Sequence, residues 1–147
     1  MKTHHPKLQY FLLFIAFSTL FFACKDPKSN IPEVYVDIQI SIYDPDFLPL
    51  TIPNSYVYVT GGAYKNGIII YRGTGDDFYA YDRTCPYDPD VGRVSIDEKW
   101  GILAVDTLCG SQFLLPTETV QKGPAAQFLK KYRTSFNSYT GVLRVFN

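Results

Sequence analysis

The chain has 147 residues, 14 Lys and Arg against 14 Asp and Glu, and is 46% hydrophobic and 16% aromatic. Lys2, Lys7, His4 and His5 all fall within the first seven positions, so from residue 24 onward acids slightly outnumber bases and no histidine remains. That excludes Ser-His and Cys-His nucleophilic catalysis, His-ligated zinc and imidazole base chemistry, and it gives no electrostatic reason to expect nucleic acid.

Met1 to Lys7 is basic, and Tyr10 to Ala23 is an almost unbroken apolar stretch ending in Phe-Phe-Ala-Cys. It is short of the roughly 20 residues a spanning helix needs, so 1–23 reads as a signal peptide. The Ala23-Cys24 junction resembles the lipobox of bacterial lipoproteins, in which the Cys after the cut is acylated. That resemblance implies lipidation at Cys24 and attachment to a membrane through the lipid. Without an Asp directly after Cys24, lipoprotein sorting implies the outer membrane, with the face left open. Residues 24–32 then form a polar, Pro-containing tether.

A single domain is expected over 33–147. Val34, Val36, Ile38, Ile40 and Ile42 alternate with polar or aromatic neighbours, the period of a strand with one buried face. Asp44-Pro45-Asp46, Pro49 and Pro53 interrupt it. Further strands are predicted at Tyr56–Thr60, Ile68–Arg72, Phe78–Tyr81, Arg93–Ile96, Ile102–Val105, Gln112–Leu115, Leu129–Thr134 and Val142–Phe146. Gly61-Gly62, Asn66-Gly67, Gly73-Thr74-Gly75 and Gly123-Pro124 supply the turns. No long window keeps a helical period, so the fold class is all-β, a small antiparallel sandwich or barrel.

Two segments resemble the cluster-binding loops of the Rieske family. Tyr81-Asp82-Arg83-Thr84-Cys85-Pro86-Tyr87 stands where the family has Cys-x-His after an apolar strand. Asp106-Thr107-Leu108-Cys109-Gly110-Ser111-Gln112-Phe113 stands where it has Cys-x-x-His-Gly-Ser-x-Phe, and Gly123-Pro124-Ala125 with Leu129 to Tyr132 matches the segment that follows. The resemblance covers about Tyr56 to Asn147 and implies a Rieske-like β fold. Carried over residue by residue, Cys85 keeps a cysteine, Tyr87 replaces the first histidine, Asp106 the second cysteine and Cys109 the second histidine. A competing register puts Cys109 on the second cysteine and Gln112 on the second histidine. In either, both histidines are missing.

A [2Fe–2S] centre of this type uses two thiolates on one iron and two imidazoles on the other, and hard oxygen donors replace imidazole poorly. No cofactor is therefore expected. The alternative is an atypical [2Fe–2S] or other metal centre held by Cys85, Tyr87, Asp106 and Cys109. The resemblance also implies that the two loops meet, which would let Cys85 and Cys109 form a disulfide worth about 3–4 kcal/mol in an oxidising compartment.

Other features carry less. Tyr-Asp-Pro-Asp, at Tyr43–Asp46 and again at Tyr87–Asp90, reads as turn chemistry in preference to a calcium site. Tyr56, Tyr58, Tyr71, Tyr79 and Tyr81 either form an aromatic face for a glycan or simply favour strands. Lys130, Lys131 and Arg133 read as a solvated strand edge. The expectation is a membrane-anchored envelope lipoprotein with a non-catalytic module for an unidentified protein or glycan partner.

Overall fold

The computed structural model describes residues 30–147. The expected signal peptide, the lipidation position Cys24 and most of the tether lie outside the described residues. Ten strands follow: β1 (Asp37–Ser41), β2 (Tyr56–Val59), β3 (Ile68–Arg72), β4 (Phe78–Asp82), β5 (Val94–Ile96), β6 (Leu103–Asp106), β7 (Gln112–Leu114), β8 (Thr119–Lys122), β9 (Lys131–Asn137) and β10 (Val142–Phe146). Three short 3₁₀ turns, at Pro45–Thr51, Ala63–Lys65 and Leu115–Thr117, occupy the places where Pro or Gly breaks the strand pattern.

The strands form two antiparallel sheets. The larger runs β1-β10-β9-β4-β3-β2 and the smaller runs β5-β6-β7-β8. The smaller sheet is an insertion: the chain leaves the larger sheet at the end of β4 and returns as β9, which pairs directly with β4 through Ala80–Tyr132 and Tyr81–Lys131. Register fixes which end carries it. Asp82 pairs with Ile68, Lys131 with Tyr81, Arg133 with Phe146, and Asp37 with Phe146. The start of β1, the end of β10 and the insertion therefore share one end of the larger sheet.

The alternating apolar residues of the first segment behave as their period requires. Val36, Ile40 and Ile42 are buried, with Val34 and Ile38 packed against the same cluster. β3 is buried on both faces: Ile68 and Ile70 enter a core on one side with Leu50, Phe78 and Leu143, while Ile69 and Tyr71 face a second core built with the small sheet from Tyr81, Val94, Phe113 and Leu115. A run of four apolar residues is what such a strand needs, since both its faces are removed from water.

A side-chain brace joins the sheets. Arg83 donates through Nε to the Val94 carbonyl (2.9 Å) and through Nη2 to the Ser95 hydroxyl (3.0 Å), and its guanidinium lies 3.9 Å from the centre of the Tyr58 ring. The Tyr58 hydroxyl in turn accepts from the Ile96 N–H at 2.8 Å. The planar fork suits both tasks, bonding in its plane and stacking through its face.

Two expectations are corrected here. β8 has no counterpart among the expected strands, because Thr119-Val120-Gln121-Lys122 holds one apolar residue and is an edge strand needing no alternation. Lys130, Lys131 and Arg133 do not mark a sheet edge, since β9 is paired on both sides by β10 and β4. Lys131 and Arg133 alternate with buried Tyr132 and so stand on the solvent face; Lys131 is paired with Glu118, and Lys130 with Glu33 at 3.0 Å.

Burial pushes the Tyr81 and Tyr132 phenols far above their ordinary value near 10, helped by Glu118 beside the first and Asp82 beside the second. Both therefore hold their protons more tightly folded than unfolded. The stability this contributes is fully present below about pH 10 and is lost as the pH rises above it. Urea unfolding followed from about pH 8 to pH 11 is expected to show a constant midpoint and then a progressive fall; a flat midpoint throughout contradicts this burial.

Candidate functional site

The site is built at the two loops of the insertion, and Asp82 sets the first of them. This wholly buried carboxylate closes β4 and accepts three hydrogen bonds: Oδ2 from the Ala63 N–H and from the Tyr132 hydroxyl, each at 2.6 Å, and Oδ1 from the Thr84 N–H at 2.8 Å. Thr84 then pairs with Arg93, and its hydroxyl donates to the Ala63 carbonyl at 3.1 Å. Cys85 follows at once. Its N–H donates to the Gly92 carbonyl (3.1 Å), while the Asp88 carbonyl accepts from Val91 (3.1 Å) and Gly92 (2.6 Å). Cys85-Pro86-Tyr87-Asp88 is thus folded back on itself, with the Asp88 side chain turned toward Cys85.

The second loop is wound around Asp106. Its carbonyl accepts from the Gly110 N–H (2.8 Å), its N–H donates to the Ser111 carbonyl (3.0 Å), and its Oδ1 accepts from the Leu108 N–H (2.8 Å). Gly110 sits at φ 78°, a left-handed position that glycine occupies without strain. Buried Ser111 accepts from the Ala125 N–H at 3.0 Å and from the Cys109 thiol at 3.1 Å, which aims the sulfur.

Cys85, Asp88, Asp106 and Cys109 meet where the loops touch, with one donor atom from each lying within 4.8 Å of every other. The two sulfurs are 3.7 Å apart. Cys85 and Asp106 are fully buried and the other two are half-buried. Asp88 Oδ1 and Asp106 Oδ2 are buried and have no hydrogen-bond partner among the described residues. Both converge on Gly92: a Cβ there would lie 2.1 Å from Asp88 Oδ1, 2.6 Å from Asp106 Oδ2 and 2.6 Å from the Cys85 Cβ. Burial, and then the facing Asp106 and Asp88 carboxylates, push the Cys85 thiol well above its ordinary value, while the backbone N–H groups of Tyr87 and Asp88 pull the other way.

The structure brings together Cys85, Asp106 and Cys109 of the expected set. Tyr87 is 57% exposed, and the inward carboxylate comes from the next residue, Asp88, because the loop turns its third residue after Cys85 toward the site. The signal was visible as the second Tyr-Asp-Pro-Asp, whose turn role is present but whose Asp88 side chain also faces the thiols. Gln112, the competing second-histidine position, lies in β7 opposite Val105 and lines a groove with Trp100, Ile102 and Leu114. The Cys85 and Cys109 sulfurs stand 3.7 Å apart and unbonded, where a disulfide closes to about 2.05 Å. The five strand tyrosines do not make one open aromatic face, for Tyr71 and Tyr81 are wholly buried in the second core.

No protein-family model and no curated protein matches the chain. Solved structures do resemble it. The plasma-membrane Rieske protein PetC3 from Synechocystis PCC 6803 aligns with a TM-score of 0.51 and 19% identity, over 78% of this chain and 99% of that one. The fold is Rieske-like. The complex of oxygenase and ferredoxin in carbazole 1,9a-dioxygenase aligns at 0.47 and 19% identity, over 78% and 94% of the two chains. The ferredoxin of carbazole 1,9a-dioxygenase from Nocardioides aromaticivorans IC177 aligns at 0.45 and 14% identity, over 77% and 97%.

The Rieske-like fold implies a [2Fe–2S] group at these two loops, and the residues present do not fit it. The imidazole pair that holds the second iron has no counterpart here. Two carboxylates stand beside the two thiols instead, and hard oxygen is a poor ligand for such a cluster. The spacing disagrees as well. A two-iron core separates the ligands of one iron from those of the other, whereas these four donors crowd within 4.8 Å of one another.

Asp82→Ala removes the acceptor that serves the Tyr132 hydroxyl, the Ala63 N–H and the Thr84 N–H. Urea unfolding is expected to show a loss of about 3 kcal/mol or more, since each buried donor left unpaired costs on the order of 1–3 kcal/mol. A change below about 1 kcal/mol contradicts the anchoring role.

Proposed function

We propose that this chain is a membrane-anchored envelope lipoprotein whose Rieske-like domain carries no iron–sulfur cluster and works as a non-catalytic structural or partner-binding module. The observation that carries it is the donor set at the loop tips, two thiols and two carboxylates with no imidazole. Anchoring rests on the Ala23-Cys24 junction after a basic and apolar leader. The partner-binding role draws support from the same two loops, which expose Tyr87, Val91 and Leu108 around the site. Large apolar side chains exposed on loops that meet at one site suit a protein partner better than open water. A glycan partner has less support, because the buried Tyr71 and Tyr81 leave no continuous tyrosine face.

The full chain and Cys24→Ala, each expressed in a Gram-negative host, test this reading. The parent chain is expected in the membrane fraction with an acylated Cys24, free of acid-labile sulfide and lacking visible cluster absorption; Cys24→Ala is expected in the soluble periplasmic fraction. Two irons and two sulfides per chain, with a reversible redox transition, overturn the cluster-free reading. A parent chain left in the soluble fraction overturns the anchor.

A further inference from the structure

We propose that Cys85, Asp88, Asp106 and Cys109 form a closed four-ligand site for a single zinc-class divalent ion. This deepens the cluster-free reading and rests on it. Four donor atoms all within 4.8 Å of one another enclose a volume suited to one ion. Metal–sulfur bonds of about 2.3 Å at a tetrahedral angle place two sulfurs about 3.8 Å apart, and Cys85 and Cys109 already stand at 3.7 Å. Metal–oxygen bonds of about 2.0–2.2 Å would complete the set from the two carboxylates, whose oxygens lie within the same 4.8 Å.

A second and independent observation points the same way. Asp106 is fully buried, and its Oδ2 has no hydrogen-bond partner among the described residues although its Oδ1 is bonded to the Leu108 N–H. The Asp88 Oδ1 beside it is orphaned in the same way. Apart from the Cys85 thiol that both carboxylates face, these two buried oxygens have no donor among the described residues; side by side they are unfavourable through lost solvation and mutual repulsion, and a shared cation removes both costs. The glycine at 92 leaves the space in which these oxygens converge, since a Cβ there would lie 2.1 Å from one and 2.6 Å from the other.

The donor types select the ion. Calcium and magnesium call for six or more oxygens or for retained waters, and two thiols defeat that. Zinc accepts mixed thiolate and carboxylate sets in four-coordinate geometry, and four protein ligands leave no open position, the pattern of a structural site rather than a catalytic one. The supports around the first ligands are also present: Ser111 on the Cys109 sulfur, the Leu108 N–H on Asp106, and the Gly92 carbonyl on the Cys85 N–H.

The full-length chain, purified in detergent under reducing conditions without chelator, tests this by native mass spectrometry, elemental analysis and titration with zinc and with cobalt(II). One zinc per chain is expected, with cobalt giving the thiolate and ligand-field bands of a tetrahedral site. Asp106→Asn keeps the acceptor for Leu108 and both thiols, and is expected to weaken zinc binding about tenfold or more while circular dichroism stays unchanged. Cys85→Ser and Cys109→Ser are each expected to abolish the cobalt bands. Reduced thiols that bind neither ion, or a Cys85–Cys109 disulfide that persists under reductant, overturn the zinc site and leave the cluster-free reading standing. Unchanged affinity in Asp106→Asn overturns the ligand set, and iron with sulfide overturns both proposals.

Discussion

Much of the architecture hangs on one buried charge. Asp82 stands at the point where the chain leaves the larger sheet, and its carboxylate gathers a hydroxyl from β9, an amide from the 3₁₀ turn after β2, and an amide from the loop that carries Cys85. A carboxylate in the interior is costly unless several donors face it, and three do. Because those donors come from segments 19 residues before and 50 residues after it in sequence, satisfying the charge also fixes how the segments sit. The close approach extends to Gly62, where a Cβ would lie 2.8 Å from Asp82 Oδ2.

From that anchor the site follows by short steps. Thr84 bridges to Arg93, Cys85 bonds to Gly92, and Arg83 reaches across to β5 and stacks on Tyr58. The second loop needs no such long-range tie, since Asp106 and Ser111 organise it locally from the ends of β6 and β7. One loop is thus held by the larger sheet and the other by the smaller. The packing of Tyr71, Tyr81, Phe113 and Leu115 between the sheets is what keeps the two cysteines together.

The strands were legible where their period was strong. Ile68–Arg72 and Val142–Phe146 fall where the apolar runs place them, and the 34–42 alternation buries the face it should. β8 was illegible because an edge strand with a single Val carries no periodic signal. The basic run of β9 misled for a related reason: charge on alternate residues marks a solvent-facing side, and sequence does not say whether the backbone edges are paired. At the site, chain order and cysteine spacing reached Cys85, Asp106 and Cys109. They missed Asp88 by one residue, because alignment to a Cys-x-His pattern assumes a loop path that Pro86 and the Asp88–Gly92 turn do not follow.

The shared end of the larger sheet has a consequence for how the domain is presented. β1 begins beside the end of β10, where Asn147 bonds to Val36 and Val34, and Lys130 at the root of the insertion bonds to the Pro32 carbonyl and to Glu33. Whatever pulls on the chain ahead of Ile31 therefore pulls at the root of the appendage, not at the hairpin end of the sheet. Load entering there meets the β1–β10 pairing and the Lys130 contacts before it reaches the loops that hold the two cysteines.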